Sequence, residues 1–249
     1  MITSGLELID LCEVHEEELL NVVYSDLYLA GFPIREEQED PSIWRALLWG
    51  PARNETTPIL HILVAGKNLC KRESRTLMGC IYAEFYGESK CGLLTYLVVH
   101  PSHRNRGLGR YLFNEAMQKL KKDAINTGGK LKAVFGEVNN PSKVKVSQDS
   151  MNPRERVRII SRLGAQRVPI CYVQPELKPG QGRSRCLSLV VFPIDDKPIK
   201  SISFDTIRSF LTEFYKVQGV ENPETDSDIQ NMLSDSRRDL IQLESLDLK

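Results

Sequence analysis

Residues 97–110, reading LVVHPSHRNRGLGR, restrict what this chain can fold into more than any other stretch. An apolar run over 93–99 comes first, then Pro101 and a short basic turn with Arg104, Arg106, Gly107, Gly109 and Arg110. A helical pattern follows over 111–122. Strand, glycine turn and helix start in that order form an anion cradle, because the first N–H groups of a helix lack intrahelical acceptors and its dipole favours negative charge there. Gly107 and Gly109 let backbone approach a phosphate with no Cβ in the way. Three arginines crowded on one turn repel each other unless an anion is expected.

The glycine spacing is neither that of a P-loop, since no Gly-Lys-Ser/Thr follows, nor GxGxxG. Arg104-Asn105-Arg106-Gly107-Leu108-Gly109 resembles the acetyl-coenzyme A motif of the GNAT acetyltransferase superfamily, Arg/Gln-x-x-Gly-x-Gly/Ala. Leu97-x-Val99-x-Pro101 resembles what precedes that motif. The resemblance implies a bacterial-type member with an α/β (α+β) fold, a mixed, mostly antiparallel sheet of about seven strands flanked by helices.

Hydrophobic periodicity agrees with that order. Strands are predicted at 6–12, 59–65, 77–86, 93–99, 131–138, 168–174 and 186–192. Helices are predicted from about His15, from Pro41, over 111–122 and from Pro153, the last behind an Asn152 cap. The run 93–99 is apolar on both faces and predicts a central, doubly covered strand. Residues 1–195 are therefore expected to form the acetyltransferase domain. Residues 196–249 are expected to form a helical extension packed on it, with amphipathic helices over 204–218 and 226–246.

Composition narrows the classes. The chain has 249 residues, 41% hydrophobic and 27% charged, and Lys+Arg and Asp+Glu are both 33. That balance excludes a general polybasic attraction to nucleic acid or anionic membranes. No apolar run is long enough to span a bilayer, and the start lacks a secretory pattern. None of the six cysteines forms CxxC, and Cys80, Cys91, Cys171 and Cys186 sit in strand-like runs as small buried hydrophobes. A cytoplasmic location is expected.

The resemblance implies acetyl-CoA as donor and direct transfer to an amine, of a small molecule or a protein. Its pyrophosphate would sit on Arg104, Asn105, Arg106, Gly107, Leu108, Gly109 and Arg110. The pantetheine arm would lie along the backbone of Leu97, Val98 and Val99, with Asn139 or Asn140 adding a polar contact. An alkyl amine of pKa ~10.4 is neutral about once in ~2500 molecules at pH 7, so a base is needed. Glu84, alone among Tyr82 and Tyr86 on its strand face, and Glu137, at the end of an apolar strand, are equal candidates. In the superfamily a tyrosine before a glycine often protonates the leaving thiolate; here Ile160 takes that place ahead of Gly164, and Tyr172 is the substitute. The acidic residues Glu36, Glu37, Glu39 and Asp40 favour a cationic acceptor. His100 and His103 lack a third ligand, so no metal is expected. The alternatives are a non-catalytic CoA-binding module that contacts a partner, or an acyltransferase using another acyl-CoA.

Overall fold

The computed structural model describes residues 5–32, 38–51, 57–144, 151–177, 180–195, 197–234 and 239–246. Its centre is an eight-stranded sheet in the order β1-β2-β3-β4-β5-β7-β6-β10. The strands are β1 (Glu7–Asp10), β2 (Ile59–Lys67), β3 (Thr76–Tyr86), β4 (Cys91–Val99), β5 (Ala133–Asn139), β6 (Gln166–Arg167), β7 (Leu187–Phe192) and β10 (Glu244–Ser245). Among the described strands only β4 and β5 run parallel. A parallel neighbour requires a crossover, and α4 (Leu108–Asn126) supplies it. The mixed, mostly antiparallel sheet expected from the sequence is the sheet observed.

Helices cover both faces. On one, α4 and α5 (Pro153–Arg162) bury Leu112, Ala116, Leu120 and Val157 against Ile81, Phe85, Val134 and Val190. On the other, α1 (Glu17–Val22), a π-helical turn at Val23–Tyr28, α2 (Leu29–Gly31) and α3 (Pro41–Trp49) cover β1 to β4. That same face, over β5 and β7, carries α6 (Phe204–Val217) and α7 (Ser227–Met232). Phe210 of α6, fully buried, stacks on Phe135 with ring centroids 4.3 Å apart. Glu213 accepts the N–H groups of Glu88 and Ser89 at 2.9 and 2.7 Å, tying α6 to the β3–β4 turn.

The C-terminal segment differs from the expected pair of helices. The second helix ends at Met232; β9 (Leu240–Gln242) then pairs with β8 (Ser201–Ser203), and β10 adds an edge to the main sheet beside β6. Ile241 is buried while Leu240 is exposed, which is strand alternation. The strand predicted over 168–174 is also corrected. β6 stops at Arg167, and beyond it only an isolated bridge joins Gln174 to Ser184. Cys171 and Cys186 flank this irregular loop and are exposed, unlike Cys80 and Cys91.

Candidate active site

Parallel pairing of β4 with β5 ends at Leu94 opposite Gly136. Beyond that point β4 runs on to Val99 and β5 to Asn139 without pairing to each other. Just past the last pair, Tyr96 of β4 opposes Tyr82 while Leu94 opposes Ala83, so Thr95 is a bulge. The predicted doubly covered strand is therefore buried at Cys91, Gly92 and Leu93 and only half-buried from Leu94 to Leu97. The His100 N–H bonds back to the Met78 carbonyl at 2.9 Å. Antiparallel alternation then aims the backbone groups of Val98 at β3 and those of Leu97 and Val99 at the opening. Two of the three expected backbone positions thus face the gap, and Val98 does not.

At the end of β4 the chain makes a 3₁₀ turn, Pro101–His103, and enters α4 through Asn105 (φ 60°) and Gly107 (φ 83°). Gly107 is the N-cap of α4, and no side chain caps the helix. Its left-handed backbone favours glycine, and a Cβ there would project into open space. Gly109 is different: a Cβ would make ordinary contact with Val99 Cγ2 at 3.7 Å. Leu108 is buried and pins the turn to the core. Arg104 Nε donates to the Val99 carbonyl at 3.1 Å, and the Arg110 guanidinium donates to the Arg162 carbonyl at the end of α5.

On the face opposite α4, the candidate carboxylates stand on β3 and β5, the strands on either side of β4. The Tyr86 hydroxyl donates to Glu84 Oε2 at 2.5 Å. Shielding from water pushes Glu84 up to about 8; the charges of Glu39 and Glu137 add to this, and the Tyr86 bond opposes it. Glu137 lies one residue past the last β4–β5 pair, where the strands part. It accepts from the Tyr172 hydroxyl at 2.5 Å and from Gln174 Nε2 at 2.9 Å. Shielding pushes it up to about 7, with the two donors pulling down and Glu39 pushing up.

Glu39 completes this acidic group from the segment before α3. Its Oε2 accepts from Trp44 Nε1 at 2.5 Å and its N–H donates to the Tyr28 hydroxyl at 2.9 Å. Tyr28 packs edge-on against Trp44 and Tyr96. Asp40 caps α3 by accepting the Ser42 N–H, while Glu36 and Glu37 lie outside the described residues.

Ile160 packs on the α4 side of the sheet, across it from Glu137. Asn140 Oδ1 accepts from the N–H and hydroxyl of Ser142, closing a turn; Asn139 ends β5 opposite Leu187. His100 Nδ1 meets Ser102 Oγ at 2.7 Å. Among the described residues no group of three or more His, Cys, Asp or Glu could hold a metal ion.

Gln174 and the link from Tyr86 to Glu84 were missed in the sequence. Residues 172 and 174 share one side of an extended segment, a signal that was available.

Residues 23–143, from the π-helical turn through the cradle and past β5, match the family described as "Acetyltransferase (GNAT) family". This stretch, just under half of the chain, belongs to the GNAT family. Its members transfer acetyl groups from acetyl-CoA, and the uncapped α4 start with Gly107 at positive φ suits that ligand's pyrophosphate. No curated protein matches the chain. Among solved structures, aminoglycoside 6'-acetyltransferase type Ii is similar at 20% identity and a TM-score of 0.45, over 78% of this chain and 99% of that one. The NatC complex bound to Gag peptide and CoA is similar at 15% identity and a TM-score of 0.47, over 76% and 99%. Nourseothricin acetyltransferase is similar at 18% identity and a TM-score of 0.36, over 55% of this chain and 66% of that one. Similarity at this level carries no information about the acceptor. Among the described residues, no helix is long and apolar enough to cross a membrane.

Proposed function

We propose that this protein is an N-acetyltransferase that moves acetyl from acetyl-CoA directly to a cationic amine, with Glu137 as general base. The observation that carries the reading is the position of Glu137, just past the last β4–β5 pair, with its pKa pushed up to about 7. A base is most effective when its pKa lies near the working pH.

Acetyl-CoA would supply the activated acyl thioester. The Arg104–Gly109 turn and the first N–H groups of α4 would hold its phosphates, and the backbone of Leu97 and Val99 its pantetheine arm. Glu137 takes the proton of the incoming ammonium, directly or through water, so that the neutral amine forms the C–N bond as the C–S bond breaks. Tyr172 and Gln174 keep one carboxylate geometry for that transfer. Since the Tyr172 proton is directed at Glu137, Tyr172 acts on the base in this reading, and the leaving thiolate takes, through solvent, the second proton that the acceptor nitrogen sheds as the amide forms. Glu84 and Glu39 add negative charge that favours a cationic acceptor.

Following thiol release with acetyl-CoA and a panel of amines tests the proposal. The expected result is acceptor-dependent release with saturable acetyl-CoA binding. No saturable binding at millimolar ligand would exclude it.

A further inference from the structure

The donors to Glu137 sit on a segment without regular structure, and the residue between them is held by the C-terminal part of the chain. Tyr172 and Gln174, whose side chains reach Glu137, flank Val173. The Val173 carbonyl accepts from the Tyr215 hydroxyl of α6 at 2.6 Å. Its N–H points at Met232 Sδ of α7, 3.2 Å away. Gln174 exchanges backbone hydrogen bonds with Ser184 at 2.8 and 3.2 Å. Next to Ser184, the Arg183 guanidinium bonds both oxygens of Asp226 at 2.8 and 2.6 Å and reaches Asp228 at 2.8 Å. Arg183 also lies 5.4 Å from the Tyr215 ring centroid. Arg185 takes the other Asp228 oxygen at 2.8 Å. Asp226 caps α7 by accepting two N–H groups, so the same carboxylate fixes the helix and the loop.

We propose that the C-terminal segment is part of the active site: Tyr215, Met232 and the Arg183–Asp226–Asp228 cluster are positioning residues that hold Tyr172 and Gln174 on Glu137 and so set how tightly it binds its proton. The proposal rests on Glu137 being the base. A packing role alone would bury α6 and α7 on the sheet, as Phe210 does on Phe135. It would not require a hydroxyl and a thioether on the backbone of the residue between the two donors, or two α7 carboxylates gripping the arginine beside Ser184, the bridge partner of Gln174. A carboxylate that loses hydrogen-bond donors holds its proton more tightly. The other titratable groups facing Glu137 are Glu39, Glu84, Tyr86, Tyr96 and Tyr215. Burial holds Tyr215 above the normal phenol range, so it is uncharged near neutrality and its removal changes no charge beside Glu137.

The test is carboxyl-carbon NMR titration of the full chain labelled at glutamate, with the Glu137 signal assigned by its loss in Glu137→Gln. Tyr215→Phe removes one hydroxyl and keeps the ring; Arg183→Met removes the clamp; Tyr172→Phe removes the donor itself. We expect the Glu137 midpoint to rise by about half a pH unit in Tyr215→Phe and Arg183→Met, and by more in Tyr172→Phe. With any amine that is turned over, the acid limb of kcat/KM should move by the same amount. Unmoved midpoints in Tyr215→Phe and Arg183→Met, both folded by circular dichroism, would overturn the positioning role, and Tyr215→Phe decides alone if Arg183→Met does not fold. An unmoved midpoint in Tyr172→Phe would overturn it as well. The titration needs no turnover. If no amine is acetylated, N-acetyl transfer fails as a reading while the link between the C-terminal segment and Glu137 is still decided.

Discussion

The hydroxyl of Tyr172 donates to Oε1 of Glu137 at 2.5 Å, across the face of the sheet where β4 and β5 part. Glu137 is held at about 7 by shielding that its two donors partly offset. A base works as the carboxylate, so kcat/KM should rise with pH through about 7 and level off above it. Glu84 stands at about 8 and would place the same limb about one unit higher. Glu137→Gln should lower kcat by about 10²–10⁴-fold, abolish that limb and leave the acetyl-CoA dissociation constant unchanged. A limb near 8 that survives in Glu137→Gln and vanishes in Glu84→Gln would reassign the base.

The two glycines of the cradle should behave differently. Gly107 has φ 83° and open space where a Cβ would point, so a side chain there meets backbone strain and, from outside, the ligand. Gly107→Glu adds a carboxylate beside an uncapped helix start. Saturable acetyl-CoA binding should disappear in calorimetry, and strain of about 1–2 kcal/mol should lower Tm by only a few degrees. Gly109→Ala meets only ordinary contacts from Val99 and Leu97 and should bind acetyl-CoA within a few-fold of the parent.

The strand, turn and helix of the cradle were legible in the sequence, because they form a local pattern. Strand, Pro101, glycine turn and helix lie within 97–110, and Glu84 declares its face through Tyr82 and Tyr86 on either side. The surroundings of Glu137 were less legible, because its contacts are long-range. Gln174 reaches Glu137 across 37 positions, from a segment that period-two reading assigned to a strand. Glu39 stands beside an aromatic cluster built from α3, the π-helical turn, β3 and β4. The segment 226–246 misled for another reason: α7 accounts only for Ser227–Met232, and beyond it pairing with β8 and β6 makes strands of Leu240–Gln242 and Glu244–Ser245.

Phe210 is one of the residues that dock α6 on the sheet. It is fully buried, stacks on Phe135 and meets Tyr86 edge-on at 5.6 Å. Phe210→Ala should cost about 3–5 kcal/mol, read as a drop in denaturant midpoint with an unchanged m-value. A change below about 1 kcal/mol would mean that α6 is only loosely docked on the sheet.

The remaining buried charge belongs to stability. His61 on β2 is sandwiched between Asp10 of β1, 2.7 Å from Nδ1, and Asp123 of α4, 2.7 Å from Nε2. Lys119 joins from α4, 3.0 Å from Asp10 and 2.7 Å from Glu13. Burial disfavours the imidazolium, but the bonds to Asp10 and Asp123 outweigh it and hold His61 at about 9 against 6.5. Burial likewise disfavours the Asp10 anion, yet His61 and Lys119 bring its pKa below 3.8. A raised histidine contributes stability that is complete below pH 6.5 and is lost as pH rises through about 9. A lowered carboxylate contributes above pH 3.8 and fails as pH falls through its depressed value. Both contributions are therefore present together between pH 3.8 and 6.5. His61→Gln takes the cation from buried Asp123 and leaves Asp10 with Lys119 alone, and should cost about 3–5 kcal/mol near pH 6. In denaturant midpoints measured from pH 5 to 10, the parent's advantage over His61→Gln should shrink steadily above neutrality. An advantage that stays constant to pH 10 would mean that His61 is neutral in the folded protein.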